Sequence, residues 1–225
     1  MTLVYTIIFV TSLFTGYLFA QTDSSSGKLN YFQKLTGDNT DSDKSRWDKM
    51  YSKHKGYVFG KEPAAYLVEV LPQLPKGKAL DLAMGEGRNA VYLAKKGFNV
   101  DGVDISEVAV RKARKLALES GVRIKTIIAD LNKYQVQQEE YDVIMDFYFL
   151  NRSLIPQIKK GLKKGGVVVF ENYTIAHLKY DKTQNKEYLL NIGELKSLFS
   201  DLEILKYREI DTGKQALASI VARKK

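Results

Sequence analysis

The stretch Ala79-Leu-Asp81-Leu-Ala83-Met-Gly85-Glu86-Gly87-Arg88-Asn89-Ala90 constrains this chain more than any other. A short apolar run predicts a strand, two glycines follow, and an amphipathic stretch over 89–96 predicts a helix. Glycines at this junction allow a tight turn and let a ligand touch the backbone, while the helix start offers free N–H groups. Taken alone, G-x-G-x-x-A is a weak signal, because ordinary turns produce it as well. Two further acids strengthen it. Asp104 ends a second predicted strand (100–105) and Asp130 ends a third (124–129). Three acids at the carboxyl ends of successive strands would line the crevice where open α/β sheets bind ligands.

The rest of the chain continues this alternation. Residues 43–74 read as mainly helical, with Trp47, Met50 and Tyr51 on one face and breaks at Gly56, Gly60 and Pro63. A helix over 106–120 would be capped by Ser106 and stopped at Gly121. Strands are expected at 141–149, 167–170, 202–209 and 216–222, and helices at 153–163 and 192–199. Short strands alternating with helices predict an α/β fold, Rossmann-like and doubly wound, with a mostly parallel seven-stranded sheet. With 44% hydrophobic and 11% aromatic residues the chain can bury a core. It has no cysteine and two histidines, His54 and His177, so no disulfide, thiolate metal site or His-rich metal centre is expected. Both histidines are expected to be exposed.

Residues 1–20 are apolar, and Asp23 is the only charged side chain before Lys28. The stretch 3–20 nears the lower length limit for a membrane-spanning helix. Three readings stay open: an anchor, a cleaved secretory signal, or an extension from a misplaced start. The basic residues that follow (Lys28, Lys34, Lys44, Arg46, Lys49) favour an anchor with the domain facing the cytoplasm. Residues 21–42 read as a polar linker and 43–225 as one folded domain.

Two cofactors suit such a loop, a nicotinamide dinucleotide and S-adenosylmethionine. The first would set a pyrophosphate on the helix start; the second is cationic, and Asp81 and Glu86 beside the glycines favour it. At this point the sequence resembles the class I S-adenosylmethionine-dependent methyltransferases, within them the small-molecule branch typified by the tellurite-resistance enzymes. The resemblance runs over about residues 46–223. It rests on Trp47-Asp-Lys-Met-Tyr51, Phe59-Gly-Lys-Glu-Pro63, the glycine loop with its Arg88-Asn89 extension, Val103-Asp104-Ile105-Ser106, Ala129-Asp130, Tyr141-Asp142-Val143, Gly165-Gly166 and Phe170-Glu171-Asn172-Tyr173. It implies that the segment with Asp81, Ala83, Gly85, Glu86 and Gly87 holds the methionine portion of the cofactor, and that Arg88 and Asn89 also belong to the cofactor site. Asp104 with Ile105 would take the ribose, and Asp130 with Leu131 the adenine. Ala83 stands where the family usually has its first glycine, Lys164 where proline is common, and the segment 182–186 departs from the family's pattern.

The expected activity is methyl transfer to a small molecule, a thiol or a selenium or tellurium oxyanion. A membrane-resident lipid or quinone-like acceptor, a nicotinamide oxidoreductase and a non-catalytic binding domain are the alternatives. Asp146 or Tyr148, after the fourth strand, could act as a base. Tyr51, Tyr57, Phe59 and Arg152 are the candidate acceptor-pocket residues. The net charge of +9 first suggests nucleic acid. The segment Asp146-Phe-Tyr-Phe149 lacks the prolines of base-modifying relatives, and basic pairs such as Arg111-Lys112 read as solvent faces of helices. A nucleic-acid partner is therefore not expected, and a membrane contact would come through residues 3–20. The cofactor is made inside cells, which agrees with a cytoplasm-facing domain.

Overall fold

The computed structural model describes residues 42–225. The expected apolar N-terminal helix or signal (1–20) and all but the last residue of the linker (21–42) lie outside the described residues. Among the described residues no helix is long and apolar enough to cross a membrane.

Helix α1 (Asp43–Ser52) starts at Ser42, whose side chain accepts from the Ser45 N–H, and α2 (Ala65–Val70) follows after a loop. The region expected to be mainly helical is thus two helices, because Gly56, Gly60 and Pro63 leave the intervening backbone without a helical ladder. Strand β1 (Lys78–Leu82), helix α3 (Arg88–Lys95), strand β2 (Asn99–Asp104), helix α4 (Glu107–Glu119) and strand β3 (Lys125–Ile128) form the first half. Strand β4 (Tyr141–Phe147), helix α5 (Ile155–Gly161), strand β5 (Leu162–Tyr173), helix α6 (Glu194–Leu198) and strands β6 (Glu203–Asp211) and β7 (Ala216–Arg223) form the second. Ser106 caps α4, accepting from the Ala109 N–H at 3.1 Å, and Gly121 ends it with φ of +67°.

The sheet has seven strands in the order β3-β2-β1-β4-β5-β7-β6, with β7 antiparallel to both its neighbours. Side chains alternate between two cores. Leu80, Leu82, Ile144, Val168 and Phe170 face α5 and α6, while Ala79, Val143, Met145, Val167 and Val169 face α2 and α3. Strands buried on both faces carry near-continuous apolar runs, which is why β4 and β5 read as they do. Burial of each such side chain contributes roughly 2 kcal/mol.

One boundary departs from expectation. The helix expected over 153–163 ends at Gly161, and β5, expected from 167, begins at Leu162. The Gly165 N–H donates to the Lys224 carbonyl at 2.8 Å, and the Lys224 N–H to the Gly166 carbonyl at 2.9 Å. Pairing with the chain's far end thus draws the glycines into the sheet. Because β2 and β4 flank β1, the winding direction reverses between β1 and β4. A crevice opens at the carboxyl end of that switch point, where open α/β sheets take their ligands.

Candidate cofactor and acceptor site

The glycine loop rises out of β1. Ala83 and Gly85 have φ of +52° and +55°, and Gly87, at +82°, caps α3. A methyl group on Gly87 would lie 2.7 Å from the Ala113 Cβ, so α4 can approach only because that position is bare. At Gly85 the bare position leaves room for the Tyr51 hydroxyl, 2.9 Å from where a Cβ would stand. Ala83, with no such freedom, holds a left-handed conformation that costs about 1–2 kcal/mol in an L-residue.

Three carboxylates gather around this loop. Asp104, 6% exposed, accepts from the Gly85 N–H and the Ser106 N–H, both at 2.8 Å. Burial pushes its carboxyl up to about 6 against those two bonds. Asp81 is 2% exposed; one oxygen takes the Ala90 N–H, and Oδ2 has no partner. Burial, then the nearby Asp104 charge, raises it to about 8. Asp146 lies on the next strand, opposite Leu82 in register, with Oδ1 likewise unpartnered. Burial, then Asp81, raises it well above the carboxylate range. Two buried carboxyls at the switch point thus each present an oxygen without a partner, an arrangement that a cation would satisfy.

Beyond Asp104 a cavity of about 350 Å³ is lined by Ile105, Ile128, Ala129 and Asp130 on one side and by Ser42, Asp43 and Lys44 on the other. Asp130 Oδ1 accepts from the Asn132 backbone and side chain, shaping the turn after β3. Leu131 is buried in the core beneath that turn. Ile105 and Asp130 thus share one wall.

The other side of the switch point is aromatic. Tyr148 follows β4 with φ of +64°, and its ring lies 5.4 Å from Tyr173 and 6.2 Å from Phe147. Its hydroxyl donates to Glu171 Oε1 at 2.9 Å, while Glu171 Oε2 accepts from Ser219. Burial, then the Glu171 charge, pushes the Tyr148 phenol well above its ordinary value. Its ring, with that of Tyr173, walls this side of the crevice.

The loop between α1 and α2 is fastened across the glycine loop. Glu86 Oε2 accepts from the Val58 N–H at 2.6 Å and the Phe59 N–H at 3.4 Å. Its Oε1 takes Lys112 Nζ at 2.9 Å, and Asn89 Oδ1 accepts from the Ala64 N–H. Lys112 also donates to the carbonyls of Tyr51, His54 and Gly56. Glu86 and Asn89, expected at the cofactor, thus spend these groups on holding this strap. Lys112, expected on a solvent face, is drawn inward because three carbonyls and a carboxylate converge on one ammonium. Trp47 stacks on Tyr51 at 5.9 Å, and Phe59 meets Tyr51 edge-on at 6.5 Å. Tyr57 packs instead behind α3 and α4, on Val91, Leu116 and Ala117.

Arg152 does not face the pocket either. Its guanidinium pairs with Glu194 and donates to the carbonyls of Glu187 and Leu189, at 2.8 and 3.0 Å. It therefore clamps the segment before α6. His177 is 4% exposed rather than exposed, with Nδ1 accepting from the Ala216 N–H and its ring stacked 4.2 Å from Tyr173. Among the described residues no cluster of acids and histidines could hold a metal ion. Asp48 and Glu171 are contributors that sequence reasoning missed. Asp48 Oδ1 accepts from the Ser106 hydroxyl at 2.6 Å, tying α1 to the start of α4. A lone acid in a helix announces no such role, although Asp48 lies inside the Trp47–Tyr51 motif.

The sheet order with one antiparallel strand, and a glycine loop at its switch point, is the fold of the class I methyltransferases. The family described as tellurite resistance protein TehB matches residues 49–217, and the chain belongs to it. A relative from Haemophilus influenzae, named probable S-adenosyl-L-methionine-dependent methyltransferase TehB, is 32% identical over 138 residues, covering 59% of this chain and 48% of that protein. The chain thus spans about half the length of that relative. A ubiquinone biosynthesis O-methyltransferase from Pasteurella multocida is 28% identical over 158 residues, 64% of this chain and 62% of that one. The crystal structure of TehB from Haemophilus influenzae shares the fold with a TM-score of 0.64 at 24% identity, covering 80% of this chain and 67% of that one.

Proposed function

We propose that this chain transfers a methyl group from S-adenosylmethionine to a small acceptor, a thiol or a selenium or tellurium oxyanion. The observation that carries this reading is the pair of bare, buried carboxyl oxygens on Asp81 and Asp146 beside the glycine loop. An ammonium would bond both oxygens and draw them into the ionised form. Membership in the TehB family supports the same choice.

In this reading Asp104 keeps its grip on Gly85 and turns a remaining lone pair to the ribose hydroxyls. Asp130 and the Leu131 backbone meet the adenine edge, and Ile105, Ile128 and Ala129 sandwich the ring. The cofactor supplies a methyl group already activated on a sulfonium. The protein has to align the acceptor and exclude water, and the strap with Tyr51 and Phe59 serves the second need. Asp146 is taken up by the cofactor's ammonium and the Tyr148 hydroxyl is committed to Glu171, so the site favours an acceptor that is nucleophilic without a base. A quinone-like phenol is the second reading, supported by likeness to the ubiquinone-pathway relative. Residues 1–20 serve in this proposal as a membrane anchor for a cytoplasm-facing domain, which carbonate extraction of membranes carrying the full chain would test.

Calorimetry with S-adenosylmethionine, S-adenosylhomocysteine and NADH, followed by labelled methyl transfer to a panel of thiols, selenite, tellurite and phenols, tests the whole reading. Tight NADH binding without binding of either adenosyl compound would overturn it.

A further inference from the structure

Arg88 stands apart from the other cations around the site. Lys112 is met by Glu86 and Arg152 by Glu194; Arg208 is met by Glu69, with Glu171 at 3.7 Å. Arg88 gives one N–H to the Phe59 carbonyl at 3.3 Å, and among the described residues the rest of its fork meets no acceptor. Its guanidinium carbon lies 5.8 Å from the centre of the Tyr148 ring. Its field also reaches Tyr51, Asp81 and Tyr173. Those groups come from α1, β1 and the end of β5, so the charge sits within the crevice rather than on an outer face.

Among the described residues no acid lies within ion-pair distance of it. Asp81 is turned to the Ala90 N–H and, in the methyltransferase reading, to the cofactor's ammonium. Glu171 has one oxygen on Tyr148 and the other on Ser219. Tyr148 has committed its hydroxyl proton to Glu171, and its left-handed backbone fixes the ring beside the guanidinium. A planar fork of N–H donors beside an aromatic ring suits an oxyanion, which it can bind through two parallel hydrogen bonds.

We propose that Arg88 receives the oxyanion of the methyl acceptor and holds its nucleophilic atom between the Tyr148–Tyr173 wall and the glycine loop. This rests on the methyltransferase reading above. A lone pair of the acceptor forms the new bond to the methyl carbon as the sulfonium C–S bond breaks, its electron pair passing to sulfur. One negative and one positive charge cancel, and no proton has to move. The carboxylate of the cofactor's methionine portion carries the same chemistry, so the experiment must separate the two sources.

The full chain and its Arg88→Met and Arg88→Lys variants are titrated with S-adenosylhomocysteine, and then with sulfate, an inert oxyanion, on the resulting complex at low ionic strength. With Arg88→Met we expect cofactor-product affinity within about twofold of wild type, sulfate binding weakened at least about tenfold, and Arg88→Lys between them. The KM of an anionic acceptor should rise by about tenfold while kcat changes less. A tenfold loss of adenosylhomocysteine affinity with sulfate binding intact assigns Arg88 to the cofactor carboxylate and overturns the proposal. No change in either titration also overturns it, leaving Arg88 as a tie to Phe59. A wild-type protein that binds no adenosylhomocysteine, yet loses sulfate binding on Arg88→Met, removes the methyltransferase reading and leaves the anion site standing.

Discussion

Asp81→Asn should make the empty protein more stable and weaken the cofactor site. In the empty fold this carboxyl is raised from 3.8 to about 8 by burial and by Asp104. The unfolded chain loses that proton near its ordinary value and the folded protein does not. Stability of the empty protein therefore falls as pH rises from about 4 to about 8. Each pH unit across that interval costs about 1.4 kcal/mol, which reaches about 4 kcal/mol at neutrality as an upper bound. Relaxation of the surroundings, and coupling to Asp104 and Asp146, halve it to about 2 kcal/mol. Asparagine fits the same space, can still accept the Ala90 N–H, and carries no ionisation penalty. Thermal unfolding without ligand near pH 8 should show Tm raised by about 5 °C. Adenosylhomocysteine should stabilise wild type and the variant far less, since the ammonium has lost one of its two carboxylates. Wild-type affinity should rise with pH up to about 8, by at most about tenfold per unit, with proton release seen as a buffer-dependent binding enthalpy. An empty Asp81→Asn protein less stable than wild type near pH 8 would refute the reasoning.

Asp104→Ala removes the acceptor for the Gly85 and Ser106 N–H groups, and calorimetry should record adenosylhomocysteine affinity lower by about a hundredfold. Ala83→Gly relieves a left-handed alanine but loosens the unfolded chain, so urea unfolding should show a net gain of about 0.5–1 kcal/mol. Lys112→Met frees three carbonyls and unbalances Glu86, and should cost about 2–3 kcal/mol. Limited proteolysis should then cut first between residues 53 and 61, and cutting elsewhere would contradict the strap's dependence on Lys112.

The sheet core was readable because its signals are local. An apolar run, two glycines and a polar helix start within a dozen positions define β1, its loop and α3, and each strand-end acid adjoins its own strand. What stayed hidden depends on partners distant in sequence. Lys112 looks like any lysine on an amphipathic helix until Tyr51, His54 and Gly56 fold across it. Arg152 looks free until Glu194 arrives, and His177 looks like a loop residue until Tyr173 and Ala216 enclose it. The start of β5 is hidden for the same reason, since its pairing partner is Lys224, far along the chain. Glu86 was legible as an acid in the right loop, but its direction, toward the strap, is a matter of side-chain geometry that spacing does not encode.

Trp47 is the chain's one tryptophan, and it lies against Tyr51, whose hydroxyl hangs over Gly85. Its emission therefore comes from a single address, one aromatic ring away from the loop that would hold the methionine portion of the cofactor. Ligand arrival, closure of the strap and the order of the two could be followed in real time from the unlabelled protein, each as a change in the same indole.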